Sequence, residues 1–146
     1  MGDTAEILRL LHRYTVLQDA ADFPAVAELF RDATYRVAGG PTCTGAAEVL
    51  ALKAHHDRTH DDGTLRTQHV TANSIIEVAA GGRTATARSV FVVLQATPSL
   101  PLQPVVAGRY LDAFARIDGA WCFTDRLIVT DLVGDLRQHI RDNPLR

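Results

Sequence analysis

The residues with the most capacity for chemistry are one carboxylate, one imidazole and a few phenols. Asp19 lies eleven residues after Leu8. At about 100° per residue this leaves it roughly 20° from Leu8 around a helix, at the edge of the apolar stripe and near the helix's C-terminal end. A carboxylate there meets the unfavourable end of the helix dipole and needs a hydrogen-bonding partner. The alternative is a solvated residue in a helix–helix turn that also holds Asp22. His69 sits in Leu65-Arg66-Thr67-Gln68-His69-Val70-Thr71. Strand alternation puts Thr67, His69, Thr71 and Asn73 on one face, with Val70, Ala72, Ile76 and Val78 mainly on the other. Hydroxyls, an imidazole and an amide together suit a polar pocket wall. An exposed sheet face, or a core histidine satisfied by a carbonyl, would read the same way. Tyr14, on the apolar helix face five residues before Asp19, is either a core tyrosine or a donor to an oxyanion. Tyr110 shares a strand parity with Asp112 and Phe114 and carries the same ambiguity.

Other chemistries find little purchase. No G-x-G-x-x-G follows a strand, and there is no G-x-x-x-x-G-K-[ST], G-x-S-x-G or H-E-x-x-H. The segment His55-His56-Asp57-Arg58-Thr59-His60-Asp61-Asp62 is dense in possible ligands, and His56 and His60 are four apart. The helix frays there and no third ligand is fixed by spacing, so it reads as a polar loop and no metal is assigned. The 146 residues carry 15 basic and 17 acidic side chains, a net charge of −2 that predicts neither a nucleic-acid surface nor an anionic-membrane surface. No apolar run approaches the ~20 residues of a membrane span, and charges interrupt the first apolar stretch, which therefore reads as a helix and not a signal peptide. With only Cys43 and Cys122, the expectation is a cytoplasmic protein with free thiols.

The elements that must position these groups fall in two blocks. Asp3 or Thr4 can cap a helix running to about residue 20, with Ile7, Leu10, Leu11, Tyr14, Leu17 and Ala21 at helical spacing. Asp22 can cap a short second helix with Pro24 near its start. Ala33 to Val37 reads as a short strand and Ala46 to about His56 as a third helix. Long strands follow over Arg66 to Val78, Arg83 to Ala96, Val105 to Ile117 and Trp121 to Leu132. Gly81-Gly82 and Asp118-Gly119 mark hairpins, and Pro98, Pro101 and Pro104 mark a loop. The tail from Gly134 to Arg146 reads as a short polar helix. Helices followed by an antiparallel meander make one α+β domain over residues 1–146. Three helices cannot cover both faces of such a sheet. Apolar residues at both parities in Ser89-Val90-Phe91-Val92-Val93-Leu94 suit a strand buried on both faces, so the open face is expected to pair with a second copy.

Taken in order, these pieces resemble the SnoaL-like branch of the nuclear-transport-factor-2-like (NTF2-like) superfamily, which includes scytalone dehydratase, ketosteroid isomerase, polyketide cyclases and bile-acid dehydratases. The resemblance rests on Tyr14-x4-Asp19-x2-Asp22-Phe23 before an Ala-Glu-Leu-Phe helix end, on Thr64-Leu65-Arg66-Thr67-Gln68-His69, and on Gly108-Arg109-Tyr110-x-Asp112 leading to Ile117-Asp118-Gly119-x-Trp121. It implies a cone: a strongly curved, mostly antiparallel sheet wrapped around three N-terminal helices, with a deep apolar pocket and a dimer through the open sheet face. In dehydratase-like members a helix aspartate matching Asp19 pairs with a strand histidine matching His69, and in bile-acid dehydratases a tyrosine matching Tyr14 joins them. A pocket-facing polar residue falls at Tyr110. Dehydratases also carry a second histidine or a carboxylate on the strand corresponding to Arg83–Ala96. Here that strand reads Val90-Phe91-Val92-Val93-Leu94, so the second partner is missing unless Tyr110, Arg109 or Arg126 replaces it.

The leading expectation is a dehydratase, isomerase or cyclase that needs no cofactor and acts on a small, mostly apolar carbonyl compound such as a polyketide, terpenoid or steroid-like ring. His69 would be the base, Asp19 its orienting partner, and Tyr14 or Tyr110 the donor to an enolate oxygen. Tyr35, Phe23, Asn73, Arg126 and Trp121 are the other expected substrate contacts, with Phe30, Leu50 and Phe91 as further walls. A non-catalytic module like the β subunit of a ring-hydroxylating dioxygenase is the first alternative. An epoxide hydrolase using Asp19, Arg126 or Arg109, and Asp112 is the second.

Overall fold

The computed structural model describes residues 2–141. Helix α1 (Asp3–Asp19) buries Ile7, Leu11, Tyr14, Thr15 and Gln18, the stripe its periodicity predicts. Its start differs from expectation. Gly2 occupies the N-cap position with no side-chain cap bond, because Asp3 is drawn away to Arg116 and to the Trp121 indole N–H at 3.2 Å. Its end is a Schellman turn. Ala21 N–H donates to the Gln18 carbonyl, Asp22 N–H donates to that of Leu17, and Ala21 takes φ +56°. The Asp22 carboxylate then accepts from Ala25 N–H at 3.2 Å and caps α2 (Phe23–Glu28).

Strand β1 (Thr34–Val37) folds back through Gly39-Gly40 onto a short strand that the sequence pattern did not reveal, β2 (Thr42–Thr44). Helix α3 (Gly45–His56) follows, its first turn held by Glu48 accepting from the Thr44 N–H. The long strands are β3 (Thr67–Val78), β4 (Thr84–Thr97), β5 (Leu100–Ile117) and β6 (Ala120–Val133). They form one six-stranded sheet in the order β2-β1-β6-β5-β4-β3. All neighbours are antiparallel except β1 and β6, which run parallel. Register shifts interrupt each of the three long pairings, and such bulges bend a sheet into a cup. The helices sit in its concave side over a core that includes Ile7, Leu11, Phe30, Phe114 and Phe123. The chain is an α+β cone built as expected.

Four further differences from expectation concern β3, β5, β4 and the tail. The bulge between Ala72 and Ile75 places Asn73 at φ +53° and exposes it, so strict alternation fails there. Ile76 and Val78 thereby return to the core side while Ile75 turns outward. The proline segment is not a loop. β5 begins at Leu100 and takes in Pro101 and Pro104, tolerated because its pairing with β6 starts only at Val106. Strand β4 is buried on one face only: Phe91 and Val93 point inward while Val90 and Val92 lie on the open side. After β6 the described part of the tail, residues 134–141, forms a turn and no helix. It crosses the open end of the cone with Leu136 and His139 buried, and Asp57 bridges to Ile140. Residues 142–146 of the expected tail helix lie outside the described residues.

Candidate active site

Between the helices and the concave sheet lies a cavity of about 200 Å³. Its walls are mostly apolar, with Leu52, Phe91, Val93, Val106, Ile128 and Leu136 among them. His69 and Asp19 meet at its edge. The His69 Nδ1–H donates to Asp19 Oδ1 at 2.5 Å, since a carboxylate can only accept. The His69 backbone N–H and the Thr67 hydroxyl, at 2.8 Å, also donate to Asp19. The last residue of α1 is thus pinned to the first turn of pairing in β3. A proton held on Nδ1 leaves Nε2 as the basic nitrogen, and the buried ring lines the cavity.

A second imidazole faces the first. The His139 ring lies 5.7 Å from that of His69, centroid to centroid, at a 61° tilt. Its backbone is fixed by the Arg58 N–H donating to the His139 carbonyl at 2.9 Å. The neighbouring Gln138 carbonyl accepts from Gln95 and from His60 Nε2. Burial, reinforced by the nearby charge of His69, pulls the His139 pKa down to about 4, so it is neutral at ordinary pH. Its Nδ1 has no partner among the described residues.

Across the cavity stands a buried ammonium. Lys53, on the same face of α3 as Val49, donates to Tyr35 Oη at 2.9 Å and to Tyr14 Oη at 3.2 Å. The two phenol oxygens are 2.9 Å apart and bonded to each other. Asp57, 3.7 Å from the ammonium, balances its charge and accepts from Gln18 at 2.6 Å. Burial opposes the Lys53 charge, but the phenol oxygens and Asp57 outweigh it and hold its pKa well above the ordinary value. Burial likewise raises the Tyr14 phenol, against the pull of Lys53.

Beneath this wall Arg126 is 0% exposed and paired with Asp112 by two bonds of 2.8 and 3.0 Å. Its guanidinium packs over the rings of Tyr110 at 3.8 Å and Tyr14 at 4.4 Å. Tyr110 in turn stacks on Phe91 at 4.5 Å. Gly108 admits that Phe91 ring: a Cβ there would stand 2.9 Å from it and 2.0 Å from the Val129 carbonyl.

The model of the SnoaL-like domain matches residues 1–127. The chain belongs to the SnoaL-like family. Solved structures agree on the fold. An NTF2-like protein with a cystatin-like fold from Novosphingobium aromaticivorans is 27% identical, with a TM-score of 0.73 over 88% of this chain and 81% of that one. A candidate scytalone dehydratase from the same organism is 23% identical, with a TM-score of 0.73 over 91% and 87%. A candidate β subunit of an aromatic-ring-hydroxylating dioxygenase, also from that organism, is 21% identical, with a TM-score of 0.69 over 88% and 89%. No curated protein matches. No helix among the described residues is long and apolar enough to cross a membrane.

Within this SnoaL-like chain the structure brings together His69, Tyr14, Tyr35 and Tyr110 at the cavity, with Asp19 behind His69. Four expected contacts lie elsewhere. Phe23 is on α2, away from the cavity walls, and Trp121 is at the opposite end of α1, bonded to Asp3. Asn73 is turned out by the bulge, and Arg126 is sealed beneath Tyr110 and Tyr14. Of the further walls, Phe30 is in the core and Leu50 is exposed, while Phe91 does line the cavity. Arg109 pairs with Asp131 on an exposed site and cannot stand in for a second acid–base group. His56 and His60 do not share a helix face, because α3 stops at His56. Sequence reasoning missed Lys53, Asp57, Gln18 and His139. A signal for two of them existed. Val49 and Lys53 are one helical turn apart, and Leu136 precedes His139 and Ile140 at spacings of three and four.

Proposed function

We propose that this chain is an acid–base enzyme needing no cofactor, a dehydratase, isomerase or cyclase, that acts on a small, mostly apolar carbonyl compound. The observation that carries this reading is the Asp19–His69 pair at the wall of an apolar cavity. His69 Nε2 takes a proton from the carbon next to the carbonyl, and the C–H electron pair moves toward the carbonyl oxygen. Asp19 holds the tautomer and stabilises the imidazolium that forms. The oxygen is met by a phenol donor, Tyr14 or Tyr35. The second acid–base group that β4 lacks is His139, which reaches the same cavity from the tail. Elimination needs a proton for the leaving oxygen: the proton that His69 took from carbon passes to it, while neutral His139 holds that oxygen by an N–H. A cavity of about 200 Å³ is below the ~300–1,000 Å³ of drug-sized sites, which favours a one- or two-ring substrate over a steroid.

The test is turnover of enolisable ketones and β-hydroxy ketones. His69→Ala should lower kcat by about 10²–10⁴-fold. Asp19→Asn, which keeps an oxygen for the Thr67 hydroxyl, should also lower kcat while the circular-dichroism spectrum stays native. Unchanged kcat in both variants would remove this mechanism. A second reading, a ligand-holding subunit without chemistry, is favoured by the apolar β4 and by the fold shared with the candidate dioxygenase β subunit. Co-purification with a larger subunit, together with no turnover on any ketone offered, would select it. The epoxide-hydrolase reading has no comparable support, because Arg126 is committed to Asp112 and Asp19 to His69. We also infer a homodimer through the convex sheet face, where Val70, Val90 and Leu132 are exposed around a shallow groove.

A further inference from the structure

The Tyr14, Tyr35 and Lys53 group leaves one proton over. Lys53 donates to both phenol oxygens, and one phenol donates to the other. Each phenol carries one proton, so one O–H is spent inside the pair and the other has no acceptor among the described residues. Both phenols line the cavity. A surplus donor backed by an ammonium, set in a mostly apolar wall, is suited to a ligand oxygen that accepts.

The charges around the cavity say what kind of oxygen that is. Lys53 is balanced by Asp57, and Arg126 by Asp112. Asp19 alone is left without a cation, beside His69. A ligand that arrives as a carboxylate adds a second negative charge with nothing to offset it. A ketone arrives neutral and becomes negative only as its proton passes to His69, which becomes positive, so the net charge inside the cavity does not change.

We propose that Lys53 is the positioning residue of this wall: it holds Tyr14 and Tyr35 and strengthens their free O–H toward the oxygen of a docked ligand, and because its charge is already balanced by Asp57 the cavity selects uncharged ketones over carboxylates. The enolate part of this rests on the acid–base reading above; the docking part does not. As the substrate's C–H bond breaks, its proton goes to His69 Nε2, its electron pair forms the C=C bond, and the carbonyl π pair settles on the oxygen that the phenol donates to. Lys53 keeps its protons throughout.

The probe is 4-nitrophenol, whose visible band responds both to hydrogen bonds donated to its oxygen and to loss of its proton. On the acid side of its own pKa it brings a proton with it, whereas benzoate, still ionised there, does not. Titrated into the full chain, it should bind with a shifted band, and benzoate should bind at least tenfold more weakly. Lys53→Met alone strands Asp57, so the variant to use is Lys53→Met with Asp57→Asn, in which a neutral pair replaces a neutral pair. It should bind the probe about ten- to a hundredfold more weakly and lose the band shift, the loss of a charge-assisted donor. Tyr14→Phe with Tyr35→Phe keeps the ammonium and its counter-ion but removes both phenol donors, and should show the same two losses. Native affinity and band shift in either variant, or benzoate binding as tightly as the phenol, would overturn the proposal. Turnover is not involved. A His69→Ala variant with unchanged kcat would therefore remove the acid–base reading and leave this result standing.

Discussion

Asp19 accepts from the His69 ring, from the His69 backbone N–H and from the Thr67 hydroxyl, so the carboxylate that orients the imidazole also fastens α1 to β3. At this scale the second histidine has a consequence for stability. Burial, and then the charge of His69, hold the folded-state pKa of His139 at about 4, against about 6.5 in the unfolded chain. Asp57 and Asp19 pull the other way, and Lys53 adds to the depression. Between those two values the unfolded chain binds more protons, so stability falls as pH falls across the window and this loss stops below about pH 4. The loss amounts to about 3 kcal/mol. His139→Gln should flatten it, which urea unfolding midpoints at pH 7 and pH 4.5 would show as a smaller drop than in the native chain. An equal drop in both proteins would mean that His139 takes up its proton in the folded state. The residues that could be read in advance were those on regular elements. Helical spacing placed Tyr14 and Asp19, and strand alternation placed His69. Asn73 was misplaced because a bulge two residues before Ile75 breaks the period of two. Lys53 was passed over because lysine is almost never buried unless paired, and its partners come from elements 18 and 39 positions away in sequence.

The element that most directly sets the site is the end of α1. Ala21 holds φ +56° in the Schellman turn, a position that glycine fills without a Cβ penalty. Ala21→Gly should therefore raise stability by about 1 kcal/mol, read as a higher Tm, with Asp19 undisturbed. A lower Tm would show that the alanine methyl contributes more than its backbone conformation costs. The same elements show where sequence patterns are informative. Asp22 was legible as a cap because its side chain does accept from Ala25. Asp3 was not, because its carboxylate serves Arg116 and Trp121, whose nearness depends on the folded sheet. Pro101 and Pro104 pointed to a loop by their chemistry, and only the missing β6 neighbour along that stretch of β5 lets them lie in a strand.

At the scale of the whole molecule, the concave side of the sheet is filled by helices and cavity, while the convex side carries Val70, Val90 and Leu132 in the open, the last 69% exposed. Burying that face in a homodimer would explain the apolar residues at both parities of β4. Leu132→Glu with Val90→Glu should then halve the mass measured by analytical ultracentrifugation and leave the circular-dichroism spectrum native. A native chain that sediments at 15.9 kDa would rule out the homodimer. The segment that carries Leu136, His139 and Ile140 closes the opposite end, and it lies beyond residue 127, where the match to the shared family pattern stops. Inheritance of the Asp19–His69 pair and inheritance of the cavity's outer rim are therefore separable. Two members could keep the same dyad and differ in what they admit through changes in a few terminal residues alone.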